Sequence, residues 1–127
     1  MNVAIIGCGL IGQKRAKALA GAGARLAICA DSNLAKAEQL ARGTEGCVAA
    51  KDWRQAVGRE DVSVVVIATT HDSLAEITAA AIEAGKHVLV EKPAARHVDE
   101  LRSLPGRADQ KGVLVHVGFN HRYHRAF

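Results

Sequence analysis

Short apolar runs alternate along the chain with longer stretches in which apolar residues return every three or four positions. The first run, 3–6, is followed by glycines at 7, 9 and 12, then by helical spacing over 13–22 that Gly21 and Gly23 stop. A second apolar run, 25–30, ends at Asp31. Residues 33–41 read as a helix with Leu34, Ala37, Leu40 and Ala41 on one face and Asp31 or Ser32 as its cap. Residues 47–50 make a weak third strand, and Asp52 opens a short helix carrying Trp53 and Val57. The run 63–68, Ser-Val-Val-Val-Ile-Ala, is continuous and β-branched, as expected of a strand covered on both faces. A helix over 73–84 closes at Gly85, and 87–90 is a fifth strand stopped by Glu91-Lys92-Pro93. Residues 97–108 are helical in part, with a break expected at Pro105-Gly106, and 113–117 form a sixth strand leading into Gly118-Phe119-Asn120. Six strands separated by helices predict an α/β fold, a doubly wound parallel six-stranded sheet with right-handed crossovers.

Composition narrows this picture. A length of 127 residues suits one domain, and 49% apolar with 24% charged residues excludes general disorder. No apolar run approaches the ~20 residues of a membrane-spanning helix, so no membrane partner is expected. Seventeen Lys and Arg against thirteen Asp and Glu leave a net charge of +4. These basic residues are scattered from Lys14 to Arg125 with acids among them, which predicts a solvated surface and no nucleic-acid partner. Cys8, Cys29 and Cys47 are odd in number and form no C-x-x-C pair; they read as small apolar residues in a reducing, cytoplasmic setting. The N-terminus lacks the basic segment of a signal peptide. Three of the four aromatics, Phe119, Tyr123 and Phe127, crowd into the last nine residues, where a finished domain usually frays into polar ones.

The segment Gly7-Cys8-Gly9-Leu10-Ile11-Gly12 has the spacing G-x-G-x-x-G between a strand and a helix. The first glycine permits the tight turn, the second lets the backbone approach a pyrophosphate, and the third lets the helix pack closely on the strand. A pyrophosphate there would face the unpaired N–H groups of the helix N-terminus. Asp31 follows Gly12 by 19 residues, at a strand end, where its carboxylate can accept hydrogen bonds from an adenosine ribose. Gly7, Gly9, Leu10, Ile11, Gly12, Asp31 and Ser32 are therefore candidate cofactor-binding residues; the plainer reading makes Asp31 a helix cap. No arginine follows Asp31-Ser32-Asn33 to meet a 2′-phosphate, which favours NAD over NADP. S-adenosylmethionine is the rival ligand for such a fold. The first helix opens with Gln13-Lys14-Arg15 and no acid, which suits an anionic ligand, but Lys14, Arg15 and Lys17 read more simply as a solvated face.

Ala84-Gly85-Lys86 running into His87-Val88-Leu89-Val90-Glu91-Lys92-Pro93 resembles the Gfo/Idh/MocA family of NAD(P)-dependent oxidoreductases, many of which act on sugars, inositols or nucleotide sugars. The glycine loop, Asp31, Ala68-Thr69 and Gly118-Phe119-Asn120-His121-Arg122-Tyr123 extend the resemblance over nearly the whole chain. It implies a Rossmann fold in which Glu91-Lys92-Pro93 sits beside the nicotinamide, with a cis Lys92–Pro93 bond. Lys92 would be the catalytic residue, aimed at the substrate hydroxyl or carbonyl; Glu91 and Pro93 would shape the pocket, and Asn120 would lie near the nicotinamide ribose or the substrate. Chemistry agrees with that placement. Removing hydride from a carbinol needs a group that manages the hydroxyl proton, either an amine whose pKa burial has lowered or an ammonium that polarises an oxyanion. One segment departs from the family pattern: Thr-Pro-Asn, with a later His, is replaced by Thr69-Thr70-His71-Asp72-Ser73. Thr69, Thr70 and His71 remain cofactor-lining candidates, the other reading being that His71, Asp72 and Ser73 cap the helix. His121 and His124 lack a third ligand nearby, so no metal is expected.

In the resembling family a second, sheet-containing domain supplies a further catalytic group and most of the substrate pocket. Residues 1–118 are thus read as the dinucleotide-binding Rossmann domain and 119–127 as the start of a truncated C-terminal substrate domain, the rest of that second domain being absent. The expected tail is exposed, disordered or paired with another chain. The resemblance implies the cofactor-binding half of a dehydrogenase that transfers a hydride between NAD(P) and a sugar, nucleotide-sugar or polyol substrate, inactive as this chain alone and homo-oligomeric in its full-length form. Residues 120–124 make a nucleotide sugar the first guess. A stand-alone NAD(P)-binding or redox-sensing module is the alternative, against which the lysine of Glu91-Lys92-Pro93 argues.

Overall fold

The apolar runs become the strands of a single sheet in the computed structural model, which describes residues 1–126. Phe127, the last of the tail aromatics, lies outside the described residues. The order is β1 (Asn2–Ile6), α1 (Leu10–Gly21), β2 (Arg25–Ala30), α2 (Leu34–Arg42), β3 (Val48–Ala50), α3 (Trp53–Val57), β4 (Val64–Ile67), α4 (Leu74–Glu83), β5 (His87–Glu91), α5 (Leu104–Lys111) and β6 (Val115–Gly118). Single 3-10 turns occupy Val98–Glu100 and Asn120–Tyr123. All strand pairs are parallel, in the order β3-β2-β1-β4-β5-β6, the doubly wound Rossmann arrangement.

Alternation along each strand feeds two core layers. Val3, Ile5, Cys29 and Val66 face one way, towards Ala16 and Leu19 of α1 and Ala37 and Leu40 of α2. Ala4, Ile6, Val65 and Ile67 face the other, towards Ala56 of α3, Ile77 and Ala81 of α4 and Leu104 of α5. Burial on both faces is why the inner strands read as continuous apolar runs. Lys86 is the one charged residue drawn inside among the described residues: it is 7% exposed, and its Nζ donates to the carbonyls of Arg59 at 2.6 Å and Val62 at 2.7 Å. That ammonium ties the loop before β4 to the start of β5.

Three boundaries differ from the sequence expectation. Helix α1 begins at Leu10, three residues before the expected start, so Leu10, Ile11 and Gly12 form its first turn; Gly21 is still helical. Asn33, not Asp31 or Ser32, caps α2, its side chain accepting the Ala35 N–H. Pro105 does not break a helix but helps to begin one. It occupies the first turn of α5, where its missing N–H would have had no partner.

Candidate functional site

Strand order reverses between β1 and β4, and the chain leaves these neighbours to opposite faces of the sheet. The crevice so opened lies at the carboxyl ends of the strands. On one side runs the glycine loop, and on the other the segment from Ala68 to Ser73. Gly7 has φ +94°, and a Cβ there would stand 2.4 Å from the carbonyl oxygen of Ala68, so only glycine fits the turn. Gly12 is pressed against the loop, where a Cβ would come within 1.9 Å of the Gly7 carbonyl oxygen. Gly9 differs: a Cβ there meets nothing within 4 Å. Its backbone borders open space, the cradle a pyrophosphate requires, at the head of a helix with no acid in its first turn.

Two cavities meet along this crevice and share Ala68 and Thr69. The first, about 490 Å³, is lined by Gly7, Gly9, Asp31, Ser32, Thr69 and Thr70. Asp31 Oδ2 accepts the Cys8 N–H and its Oδ1 the Asn33 N–H, both at 2.8 Å. Those bonds fix the carboxylate at the mouth and leave it lone pairs for a ribose, since a carboxylate can accept about four hydrogen bonds. The second cavity, about 440 Å³, is lined by Ile11, Thr69, His71, Glu91, Lys92 and Asn120. Of the candidate residues, Leu10 and Gly12 line neither: Leu10 is exposed, and Gly12 acts through packing.

At the end of β5 the chain turns sharply. The Lys92–Pro93 bond is cis, Ala94 follows with φ +73°, and the Ala94 N–H donates to the Glu91 carbonyl at 3.0 Å. Lys92 projects from this turn into the second cavity and is exposed, so nothing among the described residues buries its amine. Beyond Ala68, Ser73 is the N-cap residue of α4 but makes no side-chain cap. Its hydroxyl donates instead to Thr69 Oγ1 at 2.8 Å, and Thr70 Oγ1 donates to Asp72 Oδ1 at 2.5 Å. The Thr70 hydroxyl holds the Asp72 carboxyl below its ordinary value. This hydroxyl network occupies the segment in which the family pattern has a proline, and His71 within it lines the second cavity.

The solvated-face reading of Arg15 is overturned. Its Nε donates to Glu91 Oε1 at 2.5 Å, its guanidinium pairs with the same carboxylate, and a terminal nitrogen donates to Asn120 Oδ1 at 3.0 Å. Lys14 lines the second cavity; Lys36, Lys51 and Trp53 line the first. None of these was singled out as a site residue from sequence. Arg15 reaches a partner 76 positions away, and no local spacing encodes such a contact. For Lys36 the available signal was its place in the first turn after the Asn33 cap, one helix beyond Asp31.

A G-x-G-x-x-G loop at the strand-order reversal, with an acid at the end of β2 and an open helix N-terminus, defines a dinucleotide-binding Rossmann domain. The chain belongs to the Gfo/Idh/MocA oxidoreductase family, whose NAD-binding Rossmann fold matches residues 1–119. It is 36% identical over 129 residues to Myo-inositol dehydrogenase Hyg17 of Streptomyces leeuwenhoekii, covering 100% of this chain and 39% of that protein. Levoglucosan dehydrogenase of Pseudarthrobacter phenanthrenivorans is 34% identical over 131 residues, with 96% of this chain and 34% of that protein covered. Among solved structures, levoglucosan dehydrogenase in complex with NADH and L-sorbose superposes with a TM-score of 0.87 at 34% identity, covering 96% of this chain and 35% of that one. The chain thus spans little more than a third of the length of these relatives. Among the described residues no helix is long and apolar enough to cross a membrane.

Proposed function

We propose that this chain is the cofactor-binding unit of an NAD-dependent dehydrogenase that moves a hydride between the nicotinamide and a hydroxyl or carbonyl of a sugar or polyol. One observation carries the proposal: Lys92 stands in the cavity on the β5 side of the crevice, while Asp31 stands in the adjoining cavity on the β2 side. A dinucleotide lying across Thr69 would put its adenosine ribose at Asp31, its pyrophosphate at Gly9 and its nicotinamide beside Glu91, Lys92 and Asn120. NAD would supply the hydride acceptor. Lys92 then offers N–H donors to the substrate oxygen and a route for its proton, and His71 and Asn120 add polar groups to the same wall.

Substrate selection falls largely to residues outside this chain, with 119–127 opening that substrate-binding part. The relatives' names support a sugar or polyol, and a nucleotide sugar remains within the class. A homo-oligomeric full-length protein in the cytoplasm completes the proposal; the three free cysteines are in keeping with a reducing compartment. Calorimetric titration of the chain with NADH tests the cofactor claim, which would be lost if well-folded protein took up neither NADH nor NAD. For the catalytic claim, the full-length protein is assayed with myo-inositol, levoglucosan and nucleotide sugars. Lys92→Met should lower kcat by about 10²–10⁴-fold, the usual worth of a positioned acid–base group. Unchanged turnover would remove Lys92 from the chemistry.

A further inference from the structure

We propose that Arg15 is a positioning residue: by tying Glu91 and Asn120 to the helix that carries the glycine loop, it fixes the nicotinamide end of the crevice. The inference rests on the reading above and assigns a role to a residue that lines neither cavity itself but bonds to two residues that line the second. Arg15 lies three positions past Gly12, on the first turns of α1. Its two hydrogen bonds reach the last residue of β5 and the first residue of the 3-10 turn after β6. Three elements distant in sequence therefore meet at one guanidinium.

Exposure separates this pair from an ordinary surface salt bridge: the Arg15 and Glu91 side chains are only 21% and 13% exposed. Exposed pairs hold their geometry weakly, whereas a shielded, multiply bonded guanidinium holds a carboxylate in one orientation. Neighbouring strands are shaped around it. Glu91 pairs with Gly118 across β5 and β6, and a Cβ on Gly118 would stand 3.0 Å from both an Arg15 nitrogen and Glu91 Oε2. The space a side chain would take is filled by the ion pair. Because Glu91 directly precedes Lys92 and accepts the Ala94 N–H across the turn, holding its carboxylate also steadies the backbone from which Lys92 projects.

A positioning role makes a selective prediction. ADP-ribose uses the glycine loop and the Asp31 end, whereas NADH also uses the end that Arg15 organises. Titration of this chain with both ligands, monitored by calorimetry and by NADH fluorescence, is expected to show ADP-ribose bound by Arg15→Met within about twofold of wild type. NADH should bind about tenfold more weakly, with the fluorescence gain of bound NADH reduced, since one lost charge-assisted contact corresponds to about that factor. Arg15→Lys should recover little, because a lysine cannot make the forked contact. Asn120→Ala, an exposed position whose loss leaves the fold intact, should show the same selectivity to a smaller degree. Equal weakening of both ligands in Arg15→Met and Asn120→Ala would assign the clamp to general stability and overturn the proposal, as would unchanged NADH binding. Wild-type protein that binds neither ligand would instead overturn the dinucleotide reading beneath it.

Discussion

The carboxylate of Asp31 accepts the backbone N–H of Cys8 at 2.8 Å, joining the end of β2 to the middle of the glycine loop. One acid thus braces the loop from below while presenting its remaining lone pairs to the cavity. A group with two duties gives a two-part phenotype. Asp31→Ala should cost roughly 1–3 kcal/mol of stability, from the loss of hydrogen bonds to a charged acceptor. It should weaken NADH binding about tenfold or more, while NADPH binding, which gains nothing from a carboxylate near its 2′-phosphate, weakens less. Denaturant titration and calorimetry with both nucleotides measure the two parts; equal losses for NADH and NADPH would contradict the assignment of Asp31 to the ribose.

Gly9 and Gly12 should separate binding from folding. At Gly9 an added methyl meets no protein atom, so Gly9→Ala should lose no more than about 1 kcal/mol, the scale of an altered helix N-cap. Its NADH affinity should fall sharply, because the methyl occupies the cradle. In Gly12→Ala the methyl meets the Gly7 carbonyl, and the loss of stability should reach roughly 1–3 kcal/mol, as for overpacked cores. Melting curves beside NADH titrations of the two variants make the comparison, and a Gly9→Ala protein that binds normally would move the pyrophosphate elsewhere.

Lys86 is a buried cation whose worth lies in the carbonyls it satisfies. Lys86→Met keeps much of the stem but leaves the Arg59 and Val62 carbonyls without that partner. Destabilisation of roughly 2–4 kcal/mol should follow, with NADH affinity of the remaining folded protein unchanged. Urea unfolding reads the first quantity. A variant as stable as wild type would mean that water replaces the ammonium at no cost.

The sulfur atoms of Cys29 and Cys47 lie 3.9 Å apart. The Cys47 contact by itself favours a Cys29 thiolate, but the Cys8 contact and burial outweigh it and push Cys29 up to about 12. Cys47 is raised as well, by its hydrogen bond to Cys29 and by burial. In the unfolded chain both thiols titrate near their ordinary value of 9.0, so above that pH the folded state holds protons that the unfolded state has released. Their contribution is complete below about pH 9 and is lost as pH rises towards the folded-state value. Melting temperature should fall as pH rises from about 9 towards about 12, and less steeply in a Cys29→Ala/Cys47→Ala variant. Parallel declines in the two proteins would locate the alkaline sensitivity in other groups.

How much of this was legible in the sequence follows from how local each cause is. The six strands, their class and the glycine loop were readable because burial on both faces writes itself as unbroken apolar runs, and the crevice turn demands glycine at fixed spacing. Helix α1 begins three residues before the start that the sequence predicts, because Gly12 inside the first turn looks like loop when propensity is weighed without packing. Pro105 starts a helix where the sequence predicts a break, because proline is harmful inside a helix and harmless at its start. Arg15 reads from sequence as part of a solvated face, since its partners Glu91 and Asn120 become neighbours only after β5 and β6 have been laid beside the rest of the sheet. Asp31 is legible as a candidate because an acid follows the second strand at a set distance from the glycine loop, whereas Lys92 becomes one only through the resemblance carried by Glu91-Lys92-Pro93.

The pairing of β1 with β4 sets Val3 against Val64, sixty-one residues further along the chain. Each flanking unit, β1-α1-β2-α2-β3 and β4-α4-β5-α5-β6, can order its own helices from nearer contacts, but the crevice exists only once the two units close on each other. Nonlocal closure of this kind is what slows mixed α/β domains relative to helical bundles. Ligand-binding competence should consequently be among the last properties to return on dilution from denaturant, trailing the helical signal. Added dinucleotide would then act mainly by slowing reopening of that seam, giving the domain a longer folded lifetime in its presence.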